Sequence, residues 1–153
     1  MANNKNKSKC IFCFFKDVPI TEVEPSVENL IIYKSSFSFI MMNKYPYING
    51  HLMVIPYRHI DDILLLNEQE KLDIFGNIEL SVKILKECYN PSGFNIGINV
   101  GKVAGAGIDQ HIHFHIVPRF EADHNFMTTL ANTRIINFSI EQTYEELIKQ
   151  LRR

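Results

Sequence analysis

The amino-acid sequence predicts an α+β domain, with an antiparallel sheet of about five strands, one long helix and a C-terminal helix. Five short segments alternate apolar and polar residues or are rich in Ile, Tyr and Phe, as strands are, and two others repeat apolar residues at helical spacing. The order is three strands, the long helix, two more strands and the final helix. This order favours an antiparallel sheet with the helices on one side.

The composition is that of one near-neutral domain. The 153 residues include 16 Lys and Arg against 17 Asp and Glu, a net charge of −1, and 46% are hydrophobic, enough to bury a core. The basic excess of a protein dedicated to polymeric nucleic acid is missing, and no segment reaches the roughly 18 apolar residues of a membrane span. The polar start lacks a secretory signal, so we expect a cytoplasmic protein. Residues 1–9 are predicted to be a disordered arm, and residues 10–153 a single domain.

Three strands are predicted before the long helix. Residues 29–42 are rich in Ile, Tyr and Phe around a polar turn, which indicates two short strands. Residues 51–55 form the third, and Pro56 is expected to end it. The preceding segment, Cys10 to Pro25, has mixed signals, and we expect a lobe tied to the domain by something other than regular secondary structure, as a bound metal would do.

Both helices have recognisable start signals. Asn67 with Glu70 resembles a capping box before the long helix, and Ser139 with Gln142 resembles a second one before the C-terminal helix. Gly76 within the long helix costs about 1 kcal/mol relative to Ala, which suggests close packing against a neighbour. The apolar residues at helical spacing in the long helix are Leu72, Phe75, Ile78, Val82 and Leu85.

Three histidines alternate with apolar residues in the last predicted strand, residues 110–117. Because strand side chains alternate between faces, His111, His113 and His115 should share one face. Clustering three polar, titratable rings has no packing benefit to offset desolvation, which favours a functional cluster over ordinary sheet histidines. A purely metal-binding cluster is the alternative, since imidazole is the commonest metal ligand.

A glycine-rich loop, Gly101 to Gly107, joins the strand of residues 94–100 to the histidine strand. Such loops can point backbone N–H groups at an anion. The loop matches neither the P-loop nor the dinucleotide fingerprint, and by itself a tight hairpin connection explains it equally well. Beside the imidazoles it becomes a candidate phosphate cradle, with Gly105 and Gly107 as candidate substrate-binding positions.

Cys10 and Cys13 form a C-x-x-C motif near the start of the predicted domain. Three cysteines cannot all pair among themselves, and in an intracellular chain this spacing favours metal or redox chemistry over a structural disulfide. The pair would supply half of a tetrahedral zinc site, which needs two further ligands. The third cysteine, Cys88, is expected to be a buried helix residue.

The His-x-His-x-His motif followed by two apolar residues resembles the signature of the histidine triad (HIT) superfamily of nucleotidyl hydrolases and transferases. The resemblance covers nearly the whole chain from Cys10 onward and implies a HIT-like fold. The C-x-x-C, Asn43 eight positions before His51, the segment of residues 45–58 and the downstream residues 125–127 are similar to the bacterial branch that includes diadenosine tetraphosphate phosphorylases.

The resemblance implies a role for each matching position. His113 matches the nucleophile that attacks the α-phosphorus of a nucleotide and forms a nucleotidyl-histidine intermediate. His115 matches the ring that contacts phosphate oxygens, and His51 matches a further histidine facing the same phosphate. The implied substrate-binding positions are Asn43 for the ribose hydroxyls, Met41 for the base pocket and Asn99 for the scissile region.

The resemblance also implies a structural zinc site. Zinc-containing relatives complete their site with a histidine after the segment matching residues 56–58 and with the first triad histidine, which are His59 and His111 here. Cys10, Cys13, His59 and His111 are therefore the expected ligands, with no catalytic metal and no organic cofactor. For His59 the alternative is a surface position at a helix entry, where some relatives carry Arg.

Two departures leave the reaction's acceptor open. Phe114 stands where several phosphorylase and transferase relatives have Gln, and Gly107-Ile108 stands where many dinucleotide hydrolases and phosphoramidases have Gln-Ser or Gln-Thr. We expect cleavage of diadenosine tetraphosphate or a similar adenine nucleotide, with water or phosphate as acceptor. The alternatives are a purine nucleoside phosphoramidase and a nucleotide-binding interaction protein with vestigial catalysis.

The resemblance further implies a two-fold homodimer, in which the long helix and an edge strand meet their counterparts. The long helix has an apolar face that is suitable for such an interface, formed by Leu72, Phe75 and Ile78 with Gly76 between them.

Overall fold

A computed structural model describes residues 10–121 and 138–153. The predicted arm, residues 1–9, and the predicted family match at residues 125–127 lie outside the described residues. The described strands are β1 (Phe14–Phe15), β2 (Val18–Pro19), β3 (Ile31–Lys34), β4 (Ser38–Met42), β5 (Leu52–Pro56), β6 (Gly93–Ile98) and β7 (Phe114–Arg119). The helices are α1 (Glu68–Tyr89) and α2 (Ile140–Leu151), with short 3₁₀ turns at Ile20–Glu22, Ile63–Leu65 and Lys102–Ala104.

The main sheet has five antiparallel strands in the order β3-β4-β5-β7-β6, which confirms the predicted α+β class. Its register aligns Met41, Met53, His115 and Gly97 in one row across four strands. Directly paired residues point to the same face of a sheet, so this row defines the face that carries the histidine.

Both helices pack on the opposite face of the sheet. The core there includes buried Leu52, Val54 and Ile116 from the strands, with Leu85 from α1 and Leu147 from α2. Helices on one side of the sheet were expected from the order of elements, and the structure confirms it. Neither α1 nor α2 therefore lies on the histidine face, which is covered in part by the N-terminal lobe, through Phe12, Ile20 and Val23.

Helix α1 begins and ends where its capping residues predict. Asn67 and Glu70 form the reciprocal capping box, and Asn90 ends the helix in the left-handed conformation. The Ser139–Gln142 box before α2 is also present. No helix of the described residues is long and apolar enough to cross a membrane.

The prediction that Gly76 packs closely against a neighbouring element is wrong within this chain. A Cβ built on Gly76 would meet nothing within 4 Å. Leu72 and Phe75 are also 76% and 64% exposed, because the core face of α1 is formed by Ile74, Ile78 and Leu85. The helix has apolar residues on two sides, and only one side faces the sheet.

The N-terminal lobe contains a hairpin of its own. Strands β1 and β2 form a small hairpin whose turn residues, Lys16 and Asp17, have positive φ. Backbone hydrogen bonds from Cys13 N and Phe14 N to Cys10 O close the C-x-x-C turn. The lobe thus has a small sheet that is separate from the main one, which agrees with the expectation that no shared regular secondary structure ties it to the domain.

The histidine strand starts later than predicted, at Phe114 instead of residue 110. The reason is that Ile112 N donates to Ile60 O, outside the β5 ladder, so the chain enters the sheet only afterwards. Ile112 and Ile116 are nevertheless buried on the helix side, and Phe114 packs against the same core. Strand β5 ends at Pro56, as predicted, and Pro56 as its last residue pairs with Ser38.

Candidate active site

Three histidines meet where β5 and β7 lie side by side. His51 directly precedes β5, and His115 lies on β7 with His113 two residues before it. The ring centroids of His113 and His115 are 4.8 Å apart, and those of His51 and His115 are 5.1 Å apart. The predicted grouping of the histidines is therefore present, although His111 and His113 precede the strand.

The ring of His113 is oriented by the backbone of its own segment. Its Nδ1 lies 3.0 Å from the carbonyl oxygen of His111. A carbonyl only accepts hydrogen bonds, so Nδ1–H of His113 donates, and the neutral ring has its lone pair on Nε2. This is the protonation pattern that a histidine nucleophile needs.

His51 and His115 are joined by a hydrogen bond. His51 Nε2 lies 2.9 Å from His115 Nδ1, and Tyr47 N–H donates to His51 Nδ1 over 3.2 Å. His51 is 1% exposed, so the pair is held within the fold. These contacts fix the orientation of both rings relative to His113.

Burial keeps the three clustered imidazoles neutral at pH 7. Desolvation, with the neighbouring rings of His115 and His113 adding to it, lowers the pKa of His51 to about 3. Desolvation and His113 lower the pKa of His115 to about 4. The pKa of His113 is also lowered, mainly by burial.

Two of the predicted substrate-binding residues lie next to this cluster. Asn43 N donates to His51 O over 3.0 Å, so Asn43 extends the β4–β5 pairing beside His51. Its side-chain oxygen accepts from Tyr45 N. Met41 lies in the same sheet row as His115, with Met53 between them.

The glycine loop approaches from β6. Asn99 follows the last β6–β7 pair, Ile98 with Phe114, so the register continued by one residue would place it opposite His113. Asn99 Nδ2 donates to Gly105 O over 3.5 Å, and Gly105 has φ +88°. Gly105 therefore takes a conformation that favours glycine, whereas Gly107 is exposed and has no such requirement.

The four predicted metal ligands form a cluster beside the histidines. Ligand atoms of Cys10, Cys13, His59 and His111 all lie within 4.8 Å of one another. Nδ1 of His59 and Nδ1 of His111 are 3.3 Å apart. Cys13 Sγ lies 3.2 Å from His59 Nδ1 and 3.5 Å from His111 Nδ1, and Cys10 Sγ lies 3.4 Å from His111 Nδ1. A tetrahedral zinc site separates two nitrogen ligands by about 3.3 Å and nitrogen from sulfur by about 3.6 Å.

The protonation of the cluster also fits a metal ion. His111 Nε2 lies 2.8 Å from Pro56 O and so donates there, which leaves the Nδ1 lone pair directed at the cluster. The hydrogen bond with Cys13 lowers the pKa of the Cys10 thiol, and His111 lowers it further against the effect of burial. The cluster can therefore hold a metal ion such as zinc.

Comparison with known proteins identifies the family. The family model described as the HIT domain matches residues 24–122, more than half of the chain. The chain belongs to the HIT domain family. The HIT fold predicted from the sequence is thereby confirmed together with the family.

Two curated relatives of this HIT protein have names that state an activity. The AP-4-A phosphorylase of Mycobacterium tuberculosis (strain CDC 1551 / Oshkosh) is 33% identical over 120 residues, which cover 77% of this chain and 62% of the relative. The asymmetrical bis(5'-nucleosyl)-tetraphosphatase of Schizosaccharomyces pombe is 32% identical over 97 residues, covering 63% of this chain and 53% of the relative. The chain thus spans less than two thirds of the length of each.

The fold is shared with solved HIT structures. The crystal structure of a Zn-bound histidine triad family protein from Mycobacterium smegmatis matches with a TM-score of 0.73 and 24% identity, over 95% of each chain. At this identity the likeness shows the fold alone.

Two aromatic residues of this HIT domain contact the histidines but were not singled out in the sequence. Phe12, inside the C-x-x-C turn, is 1% exposed, and its ring centroid lies 5.0 Å from that of His113. Tyr47 stacks on His51, with ring centroids 4.6 Å apart. For Phe12, the only indication in the sequence is its place between the two cysteines of the C-x-x-C motif, which is a weak one. Nothing in the sequence around Tyr47 indicates its contact with the histidines.

Proposed function

We propose that this HIT protein cleaves the phosphoanhydride chain of diadenosine polyphosphates, such as diadenosine tetraphosphate, or of similar adenine nucleotides. The observation that carries the proposal is the ring of His113, whose Nδ1 is held by the His111 carbonyl over 3.0 Å while Nε2 is left with a lone pair beside His115. The names of the relatives, AP-4-A phosphorylase and tetraphosphatase, support the choice of substrate.

The reaction would proceed in two displacements. Nε2 of His113 attacks the α-phosphorus, a P–N bond forms, and the P–O bond to the leaving nucleotide breaks with its electron pair on the leaving phosphate oxygen. The proton on Nδ1 stays in its hydrogen bond to His111 O. Water or inorganic phosphate then attacks the same phosphorus, releases His113 and restores its lone pair.

The surrounding residues would bind the rest of the substrate. His115 would donate from Nε2 to the phosphate, where a fixed donor stabilises the charge that develops on the oxygens. His51 would hold the His115 ring in place through the hydrogen bond between His51 Nε2 and His115 Nδ1. Asn43 would bind the ribose hydroxyls and Met41 would line the base pocket. Asn99, Gly105 and Gly107 form the proposed contacts at the scissile region.

The Cys10, Cys13, His59 and His111 cluster would hold a structural zinc ion. Four protein ligands fill a tetrahedral site and leave no open position for substrate, so the ion would fix the N-terminal lobe instead of activating a nucleophile. The lobe contacts the proposed nucleophile through Phe12, which packs against both His111 and His113. Zinc would therefore support catalysis by positioning. The cytoplasmic location expected from the sequence stays a prediction.

The proposal is tested by incubating the purified protein with diadenosine tetraphosphate, with and without inorganic phosphate, and separating the products. ADP with ATP would indicate phosphorolysis, and AMP with ATP would indicate asymmetric hydrolysis; either supports the proposal. His113→Ala should lower turnover by at least about a thousandfold, while Lys149→Ala, an exposed position on α2, serves as the control and should keep the wild-type rate.

The opposite result would be a folded, metal-loaded protein that cleaves no diadenosine polyphosphate under either condition. Turnover of a nucleoside phosphoramidate alone would then favour the phosphoramidase alternative, and nucleotide binding without turnover would favour an interaction protein.

A further inference from the structure

Tyr47 contacts the histidine cluster in two ways. Its backbone N–H donates to His51 Nδ1 over 3.2 Å, and its ring stacks on the His51 ring at 4.6 Å. The same ring lies 6.3 Å from the ring of His115, with an angle of 25° between the planes. Tyr47 is therefore in contact with both histidines that flank the proposed nucleophile.

The hydrogen bonds determine which ring nitrogens carry protons. A backbone amide can only donate, so His51 Nδ1 must offer a lone pair and the neutral ring must carry its proton on Nε2. That nitrogen lies 2.9 Å from His115 Nδ1. His51 Nε2–H consequently donates to His115 Nδ1, and a neutral His115 must carry its own proton on Nε2.

We propose that Tyr47 is a positioning residue, which fixes the tautomer of His51 and, through His51, the tautomer of His115. The inference rests on the proposed function for its catalytic meaning. His113 then presents a lone pair on Nε2, because its Nδ1–H is held by His111 O, whereas His115 presents an N–H donor on Nε2. Neighbouring rings, 4.8 Å apart, carry opposite tautomers.

The opposite tautomers define the class of substrate. The lone pair of His113 suits attack on phosphorus, and the donor of His115 suits an anionic oxygen on the same phosphorus. Both groups function without a charged imidazole. The pair therefore fits phosphate esters and anhydrides with a free non-bridging oxygen.

The ring of Tyr47 protects this arrangement from water. Tyr47 is 50% exposed, whereas His51 beneath it is 1% exposed. Without the ring, water could compete for both nitrogens of His51, and the tautomer of His115 would no longer be fixed by its neighbour.

The tautomers can be read directly by nitrogen NMR. In the ¹⁵N-labelled full chain at pH 7.5, two-bond proton–nitrogen correlations distinguish protonated from unprotonated ring nitrogens. We expect His51 and His115 to be protonated on Nε2 and His113 on Nδ1. A proton on Nδ1 of His115, or an average of both tautomers at His51, would overturn the inference.

Two variants isolate the contribution of the Tyr47 ring. In Tyr47→Ala we expect the His115 signals to move towards a tautomer average and kcat for diadenosine tetraphosphate to fall about fivefold, the effect of one ordinary hydrogen bond, with KM unchanged. Tyr47→Phe keeps the ring and should match the wild type. Single Nε2–H tautomers and an unchanged kcat in a folded Tyr47→Ala variant would contradict the role of Tyr47.

The NMR measurement needs no substrate. A wild-type protein that shows the expected tautomers but does not cleave the dinucleotide would contradict the proposed function while leaving the tautomer assignment intact. If Tyr47→Ala does not fold, the wild-type spectrum still decides whether the two opposite tautomers exist.

Discussion

At the scale of single residues, the histidine cluster depends on neutral imidazoles held by specific partners. The His111 carbonyl orients His113, and the Tyr47 amide orients His51. The alternation of histidine with Ile and Phe allowed the shared side of the three triad histidines to be predicted. The hydrogen-bond partners of these rings could not be predicted, because they are backbone groups, and every residue type has the same backbone carbonyl and, except proline, the same amide.

The lowered pKa values predict how the protein responds to acid. The pKa of His51 is about 3 in the fold against an ordinary value of 6.5, and that of His115 is about 4. Between pH 6.5 and the lowered pKa values, His51 and His115 bind more protons in the unfolded chain than in the folded one. Their contribution to stability is therefore fully present above pH 6.5 and declines as the pH falls towards 3. Protonation of His51 and His115 should therefore not limit activity until the pH falls well below 6, and the lowered pKa of His113 should move the acid limb of the activity profile below the ordinary histidine range.

Thermal unfolding and kcat measured between pH 8 and pH 4 test this prediction. Metal content is determined at each pH, so that loss of an ion from the cysteine cluster is not mistaken for histidine protonation. An activity profile with its midpoint at the ordinary histidine pKa would show that burial does not control the cluster.

At the scale of elements, the tight turn before β5 places His51. Gly50 has φ +80°, and a Cβ there would lie 2.7 Å from Leu85 Cδ2 and 3.3 Å from Tyr89 Cε2, both on α1. Gly50→Ala should lower the free energy of unfolding by about 1 to 3 kcal/mol, through backbone strain and overpacking. Tyr45→Ala, an exposed position in the same turn, is the control and should change it by less than about 0.5 kcal/mol. Equal denaturation midpoints for Gly50→Ala and the wild type would refute the close packing of this turn on α1.

The N-terminal lobe should depend on its metal. Protein purified without chelator is expected to contain about one zinc ion per chain, and Cys10→Ser or Cys13→Ser should lose both the ion and thermal stability. Cys88→Ser is the matched control, because Cys88 lies on α1 and its thiol donates to Glu146 O outside the cluster. Metal-free wild-type protein with full stability would contradict the metal site and show that Cys10 and Cys13 are an ordinary pair of thiols.

Helix α1 shows why one aspect of the fold could not be predicted. Its capping box and its end at Asn90 follow from local chemistry, which a sequence displays directly. Its orientation does not, because Leu72 and Phe75 lie at helical spacing just as Ile74 and Ile78 do. Only the packing of Ile74 and Ile78 on the sheet decides which side is buried.

At the scale of the whole molecule, α1 and the edge strand β6 leave an apolar groove whose lining includes Phe75, Ile78, Val82 and Ile96. We expect a homodimer of about 36 kDa, twice the 17.8 kDa of one chain, formed on this face. Phe75→Glu should shift the protein towards monomer in light scattering at micromolar concentration. Val18→Glu, on the N-terminal lobe, is the control for added charge and should leave the dimer unchanged. A wild-type protein that is monomeric under these conditions would contradict the expected assembly.

The central claim is that His113 becomes covalently bound to a nucleotide during turnover. Rapid acid-free quenching of the protein mixed with diadenosine tetraphosphate, followed by intact-mass measurement and peptide mapping, tests it most directly. We predict a transient adenylyl adduct on His113, present in the wild type and in Lys149→Ala but missing in His113→Ala. Turnover at the normal rate with no adduct at any time point, or an adduct on another residue, would contradict the account.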